Sequence, residues 1–166
     1  MKALVVYDSA FGNTEQVAQK LSDSLSAAYQ VRAMRVEDFH VEHLKDLDLL
    51  IVGSPTQRFN PTTGTTQFLK ALPSSSLRGM DVAAFDTRLR VEEIESNGIL
   101  AFFVRIFGYA AEPIARRLKS KGGMHTVDPA GFYVEGMEGP LVPGELERVV
   151  DWVRQLVGVK RADKTP

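Results

Sequence analysis

Ala3-Leu4-Val5-Val6-Tyr7 is an unbroken apolar run between polar residues, the signature of a strand buried on both faces. A loop of small residues, Asp8 to Asn13, follows it. Val17, Leu21, Leu25 and Ala28 then recur at helical spacing, with Glu15, Gln19, Lys20 and Asp23 between them. Val31 to Val36 reads as a second strand and Phe39 to Leu47 as a short helix. Leu49-Leu50-Ile51-Val52-Gly53 repeats the buried-strand pattern. A polar loop, Ser54 to Gly64, leads into a helix that ends at Leu72 before Pro73. Val82 to Phe85 is a fourth strand. Ala110 to Lys121 is helical and stops at Gly122-Gly123, where a chain can leave a helix cheaply. Strand-like residues lie around His125 to Val127 and Phe132 to Val134. Leu146, Val149, Val150, Val153, Leu156 and Val157 form the apolar stripe of a last helix, with Pro143 and Glu145 near its start.

Strands and helices thus alternate about five times. That order predicts an α/β domain with an open, mostly parallel sheet and helices on both faces, doubly wound because crossovers are right-handed. Ligands in such sheets bind beyond the carboxyl ends of the strands, where the winding reverses. The loops after the first, third and fourth strands are therefore the ones to inspect. No repeat or linker divides the chain; one domain over residues 1–157 and a polar tail over 158–166 are expected.

Composition narrows the chemistry. Of 166 residues, 44% are hydrophobic and 25% charged, the balance of an ordinary globular domain and not of a disordered chain. The absence of cysteine excludes a disulfide framework, an iron–sulfur cluster and a cysteine nucleophile, and it fits a cytoplasmic setting. Twenty basic against 21 acidic side chains leave a formal net charge of −1, which gives no nucleic-acid footprint. No apolar stretch is long enough for a membrane span.

The segment Ser9-Ala10-Phe11-Gly12-Asn13-Thr14 joins a buried strand to an amphipathic helix. Such a turn offers free backbone N–H groups and the positive end of a helix dipole, a ready anion site. Gly12 permits a backbone conformation that a β-carbon resists. Ser9, Asn13 and Thr14 add short hydrogen-bonding side chains. No Lys or Arg lies within the loop, and neither the triphosphate-loop pattern nor G-x-G-x-x-G occurs. Neutral dipoles alone would hold the anion, which suits one terminal phosphate monoester. The plain alternative is helix capping by Asn13 or Thr14, with Glu15 and Gln16 favourable in the first turn.

Strand, S-x-F-G-N-T, helix resembles the phosphate-binding loop of the flavodoxin family, with Phe11 where a hydroxyl residue is common. Gly53-Ser54-Pro55-Thr56 is similar to the family's first flavin-contacting loop, and Asp86-Thr87-Arg88 stands where the second should be. Gly131-Phe132-Tyr133-Val134-Glu135-Gly136 and the helix bearing Trp152 resemble the flavodoxin end. The resemblance covers about residues 2–157. It implies a three-layer α/β/α sandwich with five parallel strands in the order 2-1-3-4-5, and FMN as the cofactor. Ser9, Ala10, Phe11, Gly12, Asn13 and Thr14 would hold the phosphate. Pro55, Thr56, Gln57, Arg58, Phe59 and Asn60, with Asp86, Thr87, Arg88, Leu89 and Arg90, would hold the ring. The Trp and Tyr that often flank the ring are missing from both loops, leaving Phe59 to stack. Arg58, Arg88 and Arg90 would stabilise the negative charge of reduced flavin if their charges reach it, giving a mild potential.

The resemblance implies electron transfer through bound FMN to a redox partner protein or a small quinone-like acceptor, with no catalytic acid or base and no metal. One rival is an FMN-dependent NAD(P)H oxidoreductase acting on a quinone-like acceptor; another is a binding module that has lost FMN. The apolar segment Ile99 to Phe107 is too dense to face one core stripe; about half of it is expected to be the buried start of a helix, and the rest to cover the flavin site, a quinone-like substrate or a second subunit in a homodimer. His40 and His43 read as surface residues and Met80 and Met137 as packing residues. Trp152 falls off the last helix's stripe and is expected at a sheet edge.

Overall fold

The computed structural model describes residues 1–89 and 109–162, with side chains through residue 158. Arg90 and the apolar segment Ile99 to Phe107 lie outside the described residues. The chain runs β1 (Lys2–Tyr7), α1 (Asn13–Leu25), β2 (Gln30–Arg35), β3 (Leu49–Pro55), α2 (Thr63–Ala71), β4 (Asp81–Leu89), α3 (Ala111–Ser120), β5 (Met124–His125), β6 (Ala130–Val134) and α4 (Glu145–Ala162). The sheet is parallel in the order β2-β1-β3-β4-β5, with β6 also on β4.

Alternation along the central strands divides the core. Ala3, Val5, Tyr7, Leu49, Ile51, Ala83 and Phe85 face α1 and α4, where Val17, Leu21, Val149 and Val153 meet them. Leu4, Val6, Leu50, Val52, Val82 and Ala84 face α2 and α3, against Phe68, Leu69, Ile114 and Leu118. Both faces being covered, each strand must be apolar throughout, which is why the runs read as continuous in the sequence.

Four elements depart from the sequence reading. The stretch Phe39 to Leu47 forms no α-helix; Val36–Asp38 and Val41–Leu44 are short 3₁₀ turns. The expected fifth strand is split. Val82 pairs with His125 and Phe85 with Ala130, so residues 126–129 span the place of Ala83 and Ala84 alone. These surplus residues bulge at the sheet edge and make a sixth strand. The fourth strand runs on to Leu89, past Phe85. The last helix continues to Ala162, into the expected tail.

Side-chain placement brings further corrections. Trp152 is inside the core, edge-on to Phe85 and Phe132, and its indole N–H donates to the Asp128 carbonyl at 3.2 Å. Met80 is buried as expected, whereas Met137 is 85% exposed and packs nothing. His40 is exposed and His43 half-buried, and no group of metal ligands occurs among the described residues.

The Phe85 ring lies against Gly53 on β3, and a β-carbon there would fall within the ring. Phe132 and Trp152 pack edge-on against the same ring. Gly53→Ala is therefore expected to lower stability by about 1–3 kcal/mol, the cost of overpacking a filled core. Urea unfolding measures it; an unchanged midpoint would mean that the ring is free to move.

Candidate functional site

The chain winds from β1 outward to β2 and then back across to β3, so the sheet's switch point lies at the carboxyl ends of β1 and β3. Polar groups gather there and on neighbouring β4, and they tie loops together. Asp8 accepts from its neighbour Ser9 N–H at 2.8 Å and from the Thr62 hydroxyl at 2.5 Å. Thr62 caps α2 by accepting from Thr65 N–H, and its own N–H donates to the buried Ser54 hydroxyl at 3.0 Å. Asp86, wholly buried, accepts from Ala111 N–H at the start of α3.

The loop after β1 is shaped by Ser9 and Gly12. The Ser9 hydroxyl accepts from Gly12 N–H at 3.1 Å and from Glu15 N–H at 3.3 Å. Gly12 takes a left-handed φ of 85°, which turns the chain into α1. The N–H groups of Ala10, Phe11, Asn13 and Thr14 meet no acceptor among the described residues. These orphan donors lie at the positive end of the α1 dipole. Neither Asn13 nor Thr14 caps α1 with its side chain. Asn13 instead donates to the Glu138 carbonyl at 2.8 Å, and the Thr14 hydroxyl meets the Thr87 hydroxyl at 2.8 Å. Phe11 is 58% exposed at the tip of the loop.

A cation does stand beside the loop, although none is in it. Arg35, which closes β2 in register with Tyr7, donates to the Ser9 carbonyl at 3.2 Å. It also pairs with Glu15 at 2.7 Å, so its charge is matched. The signal was register: parallel β1 and β2 put the last residue of β2 next to the turn after β1.

The loop after β3 is a tight hairpin. Gln57 and Asn60 exchange backbone hydrogen bonds at 2.9 Å in both directions. The two residues between them, Arg58 and Phe59, have φ of 47° and 69°. A turn of this form favours Asn or Gly, and each non-glycine residue in it costs of the order of 1 kcal/mol. Pro55 and Thr56 are half-buried; Thr56 N–H donates to the Thr87 carbonyl at 2.8 Å, and its hydroxyl accepts from Ala110 N–H at 3.0 Å. Gln57, Arg58 and Asn60 are exposed.

The second expected loop begins later than the sequence suggests, because Asp86, Thr87, Arg88 and Leu89 are still strand, in register with Gly131, Phe132, Tyr133 and Val134. Arg88 is not a free charge. It forms a two-pronged pair with Asp86 at 2.5 and 2.8 Å and stacks on the Tyr109 ring at 3.7 Å. Its charge is thus matched before any ligand arrives, contrary to the expected cation beside the ring. A tyrosine does accompany this strand end: Tyr109, which returns from twenty residues beyond Leu89 and was invisible to local reading. Its hydroxyl is buried with no hydrogen-bond partner among the described residues, and burial raises its pKa.

Burial also holds the Asp86 carboxyl above the ordinary carboxylate range, against the lowering effect of Arg88 and of Ala111 N–H. Folding therefore tightens proton binding at Asp86. Stability from this group is full below the ordinary carboxylate pKa and is lost as pH climbs through the raised value. Arg88→Ala removes the main counterweight and raises that value further. The substitution is expected to cost about 3–5 kcal/mol near neutrality, as for a buried charge stripped of its partner. The cost should shrink as pH falls through the raised value, because a protonated carboxyl needs no cation. Urea unfolding of both proteins from neutral to acid pH tests this; a penalty that does not change with pH would contradict it.

Known proteins agree with this architecture. A family model for flavodoxin matches residues 5–123. Oxidised flavodoxin 1 from Bacillus cereus superposes with a TM-score of 0.73 at 14% identity, covering 95% of this chain and 98% of its own. A flavodoxin from the domain Archaea gives a TM-score of 0.73 at 21% identity, over 96% of this chain and 99% of its own. Rubredoxin oxygen:oxidoreductase from Desulfovibrio gigas is similar over 99% of this chain but only 37% of its own, with a TM-score of 0.72 and 19% identity. No curated protein matches the sequence. Identities this low establish likeness of fold. The match over residues 5–123, most of the chain, goes further: this protein belongs to the flavodoxin family.

Proposed function

We propose that the protein binds FMN at the carboxyl edge of its sheet and transfers electrons through it. The observation that carries this reading is the set of orphan amides of Ala10, Phe11, Asn13 and Thr14 at the start of α1. Asn13 and Thr14 are buried residues, where a donor without an acceptor is costly, while Ala10 and Phe11 are exposed and open to a ligand; a phosphate monoester supplies several acceptor oxygens at once. The fit extends to the loops: Gly12 leaves open space where a side chain would stand, and the hairpin at Gln57 to Asn60 rises beside the same edge.

Within this reading, Ser9 through Thr14 hold the phosphate. Ser9 contributes by fixing Gly12 and Glu15, so that the remaining amides stay turned outward. Pro55, Thr56, Gln57, Arg58, Phe59 and Asn60 form one wall for the ring; Leu89 and Arg90 belong to the other, to which Thr87 contributes its backbone alone. Asp86 and Arg88 serve that second wall as a neutral, buried brace, and Tyr109 offers there its aromatic body and a hydroxyl that meets no partner among the described residues. Bound FMN supplies the redox chemistry, and the chain supplies position and electrostatics. The matched pairs Arg88–Asp86 and Arg35–Glu15 add no net positive charge to the site.

The near-neutral balance, a formal net charge of −1, favours weighing a second reading. A strongly charged carrier steers to its partner through its field, whereas a small quinone-like acceptor with an NAD(P)H donor needs no such field. Steady NAD(P)H oxidation with a quinone by the loaded protein would select that enzyme.

The purified protein is expected to be yellow or to become so on adding FMN. Riboflavin should bind at least about tenfold more weakly, since hydrogen bonds to a charged phosphate are each worth about 1.5–3 kcal/mol. Fluorescence titration measures both. A chain that takes up no FMN would leave only a binding module of the same fold.

A further inference from the structure

We propose that Thr87 is a positioning residue for the phosphate loop: its hydroxyl turns the proton of Thr14 toward the bound monoester. This deepens the FMN reading and rests on it. Thr14 opens α1 beside the orphan amides and is 1% exposed; Thr87 lies on β4, on the face that packs α1, and is 4% exposed. Their hydroxyl oxygens are 2.8 Å apart, and either can donate.

Two hydroxyls bring two protons to one hydrogen bond. One proton of the pair is therefore left over, and neither hydroxyl has another partner among the described residues. A buried donor without an acceptor is destabilising. When Thr87 donates to Thr14, the surplus proton belongs to Thr14, which stands at the anion loop. A phosphate oxygen then completes a chain in which Thr87 donates to Thr14 and Thr14 donates to phosphate. Each link polarises the next and strengthens it. The reverse order leaves the surplus proton on Thr87, within the sheet, where no group among the described residues accepts it. An anion thus selects the first order.

Thr87 is also joined to the ring side of the site. Its carbonyl accepts from Thr56 N–H at 2.8 Å, so one residue reaches the phosphate loop through its side chain and the hairpin loop through its backbone. Loss of the side-chain link should therefore register as weaker recognition of the phosphate, with the ring contacts intact.

The test compares FMN with riboflavin, which lacks the phosphate, on the full chain. Thr87→Val keeps the shape and removes the hydroxyl; Thr87→Ser keeps the hydroxyl. Thr87→Val is expected to weaken FMN about five- to tenfold and to change riboflavin affinity less than about twofold, consistent with the net worth of one hydrogen bond. Thr87→Ser is expected to restore FMN affinity to within about twofold of the original. In the Thr14→Val background, Thr87→Val should cost FMN nothing further, because it acts through Thr14. Equal weakening of both flavins by Thr87→Val, or an unchanged preference for FMN, overturns the proposal while leaving the FMN reading in place. An original chain that binds neither flavin overturns both.

Discussion

A parallel strand covered by helices on both sides admits a polar side chain only where a donor or partner answers it. That constraint orders this molecule. From Ala3 to Tyr7 and from Leu49 to Gly53 every residue is buried, and the polar groups appear together at the carboxyl edge as Asp8, Ser54 and Asp86. Each takes up a backbone or hydroxyl donor from a connection at this edge: Ser9 from its own connection and Thr62 from the one after β3 for Asp8, Thr62 for Ser54, Ala111 for Asp86. The strand ends therefore do more than stop. They fix where α1, α2 and α3 begin, and so where the amides at the head of α1 point.

Electrostatic balance at this edge is local. Arg35 answers Glu15, Arg88 answers Asp86, and Arg148 answers the buried Glu145 at the foot of α4. Pairs of this kind position loops without giving the edge a strong field. What remains unbalanced is the group of main-chain donors after Ser9. A loop built this way favours an anion by geometry and helix dipole, with the neighbouring guanidinium spent on a carboxylate and on the Ser9 carbonyl.

The central strands were legible because they rest on local pattern, and their order because the loops resemble those of the flavodoxin family. Continuous apolar runs identify strands covered on both faces, and a small-residue turn between such a strand and an amphipathic helix marks a dipole site. What escaped was set by long-range contact. The bulge at residues 126–129 depends on pairing with β4 and has no pattern of its own. Trp152 reads as off-stripe until Phe85 and Phe132 are seen to receive it. Arg88 reads as a free loop cation because its partner Asp86 lies two residues earlier on the same strand face, visible only once that stretch is known to be extended. Tyr109 joins the site across twenty residues of sequence, and the Thr14–Thr87 contact across 73.

The account turns on whether the amides after Ser9 receive a phosphate. Backbone amide NMR of the full chain, titrated with FMN and separately with inorganic phosphate, reads this directly. The resonances of Ala10, Phe11, Asn13 and Thr14 should move downfield together as new hydrogen bonds form. Gly12 and Glu15, already engaged by Ser9, should move less. Shifts confined to other parts of the chain, or none at saturating ligand, would contradict the account.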